Sequence, residues 1–164
     1  MSWGEISTKF KYSTKFKYKI AHWLTYRKNI GNISGNSRYD VARAQWGSSW
    51  RLPTMEEIEE LIELCKWEWI IVDGHEGNRV TGPNGNSIFL PAAGCRTGAT
   101  MTLPGSGYYW SGTLFELDSR LVYYLYFIDD SVTCGINDRA DGCYVRPVID
   151  LTRKQINPNR SLET

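Results

Sequence analysis

Trp46-Gly47-Ser48-Ser49-Trp50-Arg51-Leu52-Pro53-Thr54, followed by Met55-Glu56-Glu57-Ile58, carries the sharpest local signal in the chain. Thr54 has the chemistry of a helix N-cap. Glu57, three residues on, completes a capping box in which cap and glutamate each accept the other's backbone N–H. Ile58, Leu61, Ile62 and Cys65 then recur at helical spacing on one face. The glutamates fall mostly on the other face, several in the first turns, where the helix dipole favours negative charge. The sequence therefore predicts one sharply capped amphipathic helix.

A second short helix is predicted before it, from about Arg38 to Gln45, after a loop rich in Asn, Gly and Ser from Asn29 to Ser37. Beyond Lys66 the pattern becomes short strands: Trp67 to Val72, Asn78 to Thr81, Ser87 to Leu90, Gly107 to Ser111, Leu121 to Ile128 and Tyr144 to Ile149. Asn84-Gly85 between two apolar runs is a hairpin signal. Pro147 puts the last stretch at a sheet edge or a strand end.

The chain has 164 residues, which suggests one domain, with 41% hydrophobic and 23% charged residues. Aromatic residues reach 13%, which suits a compact α+β or β fold and also suits binding surfaces. A net charge of +1 argues against a dedicated nucleic-acid binder. No apolar run is long enough to span a bilayer, and Met1 to Glu5 does not read as a signal peptide.

Residues 1–30 form a basic segment in which Ser7-Thr8-Lys9-Phe10-Lys11-Tyr12 is repeated as Ser13-Thr14-Lys15-Phe16-Lys17-Tyr18. The alternation has strand periodicity, and an enlarged hairpin or loop explains it more simply than a polyanion-binding strip. Residues 31–150 are expected to form the domain and 151–164 a polar tail. The four cysteines, Cys65, Cys95, Cys134 and Cys143, match no zinc spacing. Cys65 lies on the apolar helix face and is expected to be a buried thiol. Cys134 and Cys143 could bridge if their strands pair, in an oxidising compartment.

Several long motifs occur here in one order: Trp-Gly-x-x-Trp-Arg-Leu-Pro-Thr from Trp46, Val80 to Gly94, Gly107-Tyr108-Tyr109-Trp110-Ser111 and Val145-Arg146-Pro147-Val148. Over roughly Tyr39 to Ile149 the chain resembles bacterial domains related to the formylglycine-generating enzyme fold, common in gut and rumen bacteria and their phages. The resemblance implies an α+β domain of the C-type lectin-like fold, with two helices, short twisted antiparallel strands and long ordered loops. Within that group the chain is most similar to variable proteins of diversity-generating retroelements. In those, error-prone copying at adenines scatters residue types over a ligand-binding surface on a constant scaffold.

The resemblance implies a variable binding region at about 112–143. Tyr123, Leu125, Phe127, Arg139, Gly142 and the Val-Arg-Pro-Val end match framework positions. The ligand-binding candidates between them are Leu114, Phe115, Glu116, Asp118, Arg120, Tyr124, Tyr126, Ile128, Thr133, Ile136, Asn137, Asp138, Ala140 and Asp141. The implied protein is not an enzyme, takes no cofactor, and acts at a bacterial cell surface or on a phage particle. Its unknown ligand is more in keeping with a protein than a sugar, and neither nucleic acid nor a membrane span is expected. An oligomer stays open.

Alternation in the strand Leu121 to Ile128 leads to a related reading without the resemblance. Tyr123, Leu125 and Phe127 share one face, assigned to the core, and Tyr124, Tyr126 and Ile128 share the other. If solvent-exposed, that second face is an interaction patch, and tyrosine is a favoured binding residue. A strand buried on both faces fits the same pattern. Thr113 to Glu116 could also be a capping box opening a short helix.

Other chemistry is thinner. No nucleophile-elbow, P-loop, dinucleotide or zinc-protease motif is present, and His22 and His75 stand alone. Asp129-Asp130, or Asp138 with Asp141, could contact calcium, but no metal site is assigned. Two alternatives remain: a formylglycine-generating-type oxidative enzyme using Cys134 and Cys143, and a structural or assembly module of a phage or cell surface.

Overall fold

The computed structural model describes residues 28–150 apart from Ser48 and Ala99, with only the backbone of Thr102. The duplicated amino-terminal segment and the polar tail therefore lie outside the described residues. Among the described residues, two helices and ten strands make up an α+β fold: α1 (Val41–Trp46), β1 (Trp50–Arg51), α2 (Met55–Leu64), β2 (Lys66–Val72), β3 (His75–Thr81), β4 (Ser87–Pro91), β5 (Cys95–Thr97), β6 (Thr100–Thr102), β7 (Gly107–Leu114), β8 (Leu121–Ile128), β9 (Ser131–Asp138) and β10 (Val148–Ile149). All strand pairs in the four sheets are antiparallel.

The capping box is formed as expected. Thr54 Oγ1 accepts the Glu57 N–H, and the Glu57 carboxylate accepts the Thr54 N–H at 2.9 Å. Ile58 is buried, and Leu61, Ile62 and Cys65 pack partly buried beside it. The Asn84-Gly85 turn joins β3 to β4, with Gly85 at φ 81°. That is left-handed backbone, which glycine enters without the Cβ penalty.

The first helix starts later than the sequence suggests, because Asp40 caps it. Asp40 is fully buried, and its Oδ1 accepts the N–H groups of Ala42 and Arg43. Its Oδ2 accepts those of Gly35 and Leu52 at 2.7 and 2.9 Å. One carboxylate thus pins the 30s loop, α1 and the entry to α2 together.

Arg51 ties β1 to both α2 and β10. Its two terminal nitrogens donate to the two Glu57 oxygens, each at 2.6 Å, and its Nε donates to Asp150 at 2.6 Å. Strand β1 itself pairs with β10, Trp50 opposite Ile149. The final strand is only Val148–Ile149, since Tyr144 makes an isolated bridge and Pro147 lacks the N–H that a longer ladder needs.

Two hydrophobic cores lie on opposite faces of the β7–β8–β9 sheet. Ile58, Val80, Leu90, Ala92, Tyr109, Leu125 and Phe127 form one, against α2 and the β2–β3–β4 sheet. Ile33, Leu52, Cys95, Tyr108, Trp110, Leu114, Val122 and Cys143 form the other. Phe127 fills the centre of the first, facing Trp67, Trp69 and Tyr109. It fits because its cross-strand partner is Gly107, where a Cβ would stand 2.1 Å from the ring.

Candidate functional site

The β7–β8–β9 sheet is the platform on which the expected binding residues sit. Its register is continuous from Leu121↔Asp138 at one end to Ile128↔Ser131 at the other. Side chains alternate between faces, so register assigns each residue to a side. Tyr108, Trp110, Val122, Tyr124, Tyr126, Thr133 and Asn137 fall on one face. Tyr109, Tyr123, Leu125, Phe127, Cys134, Ile136 and Asp138 fall on the other.

Strand β7 follows that alternation only as far as Trp110. Trp110 pairs with Tyr124 and Leu114 with Val122, so the intervening residues bulge. Buried Ser111 mends the interruption by donating to the Tyr123 carbonyl at 2.7 Å and accepting the Thr113 N–H at 3.1 Å. The chain is still strand at Thr113, so the helix allowed by a Thr113–Glu116 capping box does not form.

The Tyr124 face is an aromatic stack rather than a free surface. Val122 is fully buried, and Tyr124 and Tyr126 are half-buried against the Trp110 core. Tyr108 lies parallel to Tyr124 at 5.5 Å and tilted against Tyr126 at 5.0 Å. Tyr124 lies over Gly135, its partner on β9, where a Cβ would come within 2.9 Å of the ring. Burial, with the neighbouring Cys143 thiol, pushes the Tyr124 hydroxyl above its ordinary range, and burial does the same to Tyr108. These phenols stay protonated and neutral. Thr133 and Ile128 are exposed farther along the strands.

A second group gathers at the Leu121/Asp138 end. Here the 115–120 turn meets the 136–141 segment through the Arg139 N–H, which donates to the Arg120 carbonyl at 2.9 Å. Arg139 is buried and donates to the Ser119 and Lys28 carbonyls, so it braces this end from beneath. Phe115 meets Tyr123 edge to face at 5.7 Å, and Tyr123 pairs with exposed Ile136. Asp118 and Arg120 form an exposed ion pair at 2.6 Å, and Glu116 is exposed beside them. Leu117 is 88% exposed, the extreme among large apolar side chains described. Asp138 accepts the Ala140 N–H, and its carbonyl accepts that of Asp141.

Two candidates do not belong to either group. Leu114 and Ala140 are buried, at 7% and 5% exposure, and cannot offer a side chain to a ligand. Leu114 is carried inward where β7 rejoins its partner after the bulge; Ala140 sits within the turn where the Asp138 carboxylate accepts its N–H.

The sulfur chemistry also rearranges. All four cysteines are thiols. Cys134 pairs with Leu125 and packs against the α2 core, whereas Cys143 belongs to the Trp110 core. The sheet separates them, so the Cys134–Cys143 pair does not form. Burial, with Glu59 and Glu56 nearby, pushes Cys134 up to about 11, which makes it a poor nucleophile at neutral pH. Of the two possible calcium pairs, Asp129 and Asp130 lie at the hairpin end of the sheet and Asp138 and Asp141 at the other, and among the described residues neither pair gathers a third acidic, histidine or cysteine ligand.

The sequence reading missed the partners that hold the site. Tyr108 and Trp110 were visible as an aromatic run, but not as the floor beneath Tyr124. It also missed a cleft of about 310 Å³ on the α2 side of the sheet. Ile58, Leu61, Ile88, Leu90, Tyr109 and Leu125 line it, with Glu57 and Arg146 among its polar groups. Among the described residues no helix is long and apolar enough to cross a membrane. Comparison with family models, with curated proteins and with solved structures finds no match to this chain.

Proposed function

We propose that this chain is a ligand-binding domain of the C-type lectin-like fold, whose ligand rests on residues at the Leu121/Asp138 end of the β7–β8–β9 sheet. The observation that carries the reading is convergence. The 115–120 turn and the 136–141 segment, separate in sequence, meet there through the β8–β9 register and the Arg139 contacts. Phe115, Glu116, Leu117, Asp118, Arg120, Ile136 and Asp138 supply apolar surface and both charges at that end. A few aromatic and charged anchors on a rigid frame are what protein recognition uses. Exposed Leu117 and Ile136 favour a protein ligand over a sugar.

The likeness to retroelement variable proteins gives this surface a source of diversity. Tyr124 and Tyr126 then act as a semi-buried base whose exposed edges extend the surface.

A display library randomised at Phe115, Glu116, Leu117, Asp118, Arg120 and Ile136 tests the reading. Most clones should melt near the parent temperature, and selection against an arbitrary folded protein, such as lysozyme, should yield binders. Widespread unfolding of the clones would show that these positions serve the core, and the proposal would fall. A near-copy of the 112–143 coding stretch beside a reverse transcriptase gene, differing at adenines, is the expected signature of diversification; a locus without one removes the retroelement part.

A further inference from the structure

We infer that Cys95 and Cys143 are the site of an internal disulfide, closed when the chain folds in an oxidising compartment. The inference rests on backbone pairing and is independent of the proposed ligand surface. Arg96 donates its N–H to the Gly142 carbonyl at 2.8 Å, and Gly142 returns a bond to Arg96 at 2.7 Å. This reciprocal exchange defines a hydrogen-bonded antiparallel pair. Antiparallel geometry carried one step on from this isolated bridge sets Cys95 opposite Cys143 in a non-hydrogen-bonded position. Such positions place Cα atoms about 4.5 Å apart. Disulfides span Cα separations of about 4.4–6.8 Å.

Both side chains enter the same core, beside Tyr108 and Trp110, with exposures of 4% and 3%. Neither other thiol competes within the folded chain. Cys134 is across the sheet, and Cys65 ends α2 on the far core.

On closure both S–H bonds break and one S–S bond forms. Two electrons and two protons pass to an external small-molecule disulfide, whose own S–S bond is cleaved to two thiols. Burial gives the timing. Exchange needs a thiolate and access. Burial and the adjacent Cys95 hold the Cys143 thiol well above the ordinary range. The folded pair therefore exchanges slowly, and the state set during folding persists. Closure would fasten β5 to the chain that leaves β9 beneath Tyr124, and so stiffen the 139–143 segment.

The test uses the full chain carrying C65S and C134S, which leaves only this pair. The chain is unfolded, then refolded with oxidised glutathione or with dithiothreitol. Expected for the oxidised sample are a monomer with the Cys95 and Cys143 peptides linked under non-reducing conditions, native circular dichroism, and a melting temperature several degrees above the reduced sample. Folded protein whose two cysteines can both be alkylated after denaturation overturns the inference, as does linkage between chains. If the double variant does not refold, the unsubstituted chain is exported to an oxidising compartment and mapped. A Cys95–Cys143 link then supports the inference, and any other pairing, or none, overturns it.

Discussion

The Tyr108 and Tyr124 rings lie 5.5 Å apart and within 5° of parallel, although the residue directly opposite Tyr108 is Tyr126. Tyr108 thus stacks on its diagonal neighbour and leaves Tyr126 tilted beside it. Diagonal partners on adjacent strands come within reach of each other when the side chains are large. The stack is why the tyrosine face is half core and half surface, and it separates positions that tolerate change from those that do not.

Substitutions should divide along that line. Tyr124→Ser removes a half-buried ring and its stack, and is expected to cost about 2 kcal/mol, below the 3–5 kcal/mol typical of a fully buried aromatic cut to alanine. Leu117→Ser and Ile128→Asn should each stay within about 0.5 kcal/mol of the parent. Urea denaturation of the three variants measures the contrast. Equal costs at all three positions would contradict the placement of Tyr124.

The close approach of Gly107 to Phe127 makes an equally specific claim. Alanine at 107 would put a Cβ 2.1 Å from the Phe127 ring, against 2.9 Å between a Cβ at 135 and Tyr124. Gly107→Ala should cost about 3 kcal/mol through overpacking, and Gly135→Ala less, because the outer Tyr124 ring can shift. Thermal melts of both should preserve that order.

Asp40 should be among the least replaceable polar residues. Asp40→Ala strands four N–H donors, those of Gly35, Leu52, Ala42 and Arg43. Loss of about 3 kcal/mol or more is expected, since each unpaired buried donor costs about 1–3 kcal/mol. Hydrogen exchange at the Leu52 and Gly35 amides should accelerate together. Protection that persists at both would show that another acceptor holds them.

Glu57 predicts a pH dependence. The Arg51 hydrogen bonds lower its pKa, against the opposing effect of burial. A depressed folded-state pKa contributes stability that is fully present above the unfolded value of about 4.3 and is lost as pH falls through the folded value. Glu57→Gln should therefore cost about 1 kcal/mol near neutrality, in keeping with a partly exposed pair. Stability curves of parent and variant should converge in acid; a gap that stays constant to low pH would assign the effect to packing alone.

Local chemistry determined much of this protein from its sequence. Thr54 and Glu57 are three residues apart, so their capping box is readable without a tertiary structure, and Asn84-Gly85 marks its hairpin for the same reason. Alternation places Leu125 and Phe127 in the core and reproduces the bounds of β8, whereas Tyr123, assigned to the same core face, is only partly buried and meets Phe115 edge to face instead of joining either core. Strand β9 was not legible, because Ser131 to Asp138 mixes polar and apolar residues whose faces are set by pairing with β8 rather than by a local period. Leu114 looked like a surface candidate until the β7 bulge turned it inward, and Tyr124 looked exposed until Tyr108 stacked on it. Cys134 and Cys143, nine residues apart in sequence, end on opposite sides of a sheet, while Cys95 and Cys143 become neighbours. Periodicity reports which residues share a face of their own element. Which face another element covers, and which distant side chain arrives there, depends on long-range register, which only the folded chain decides.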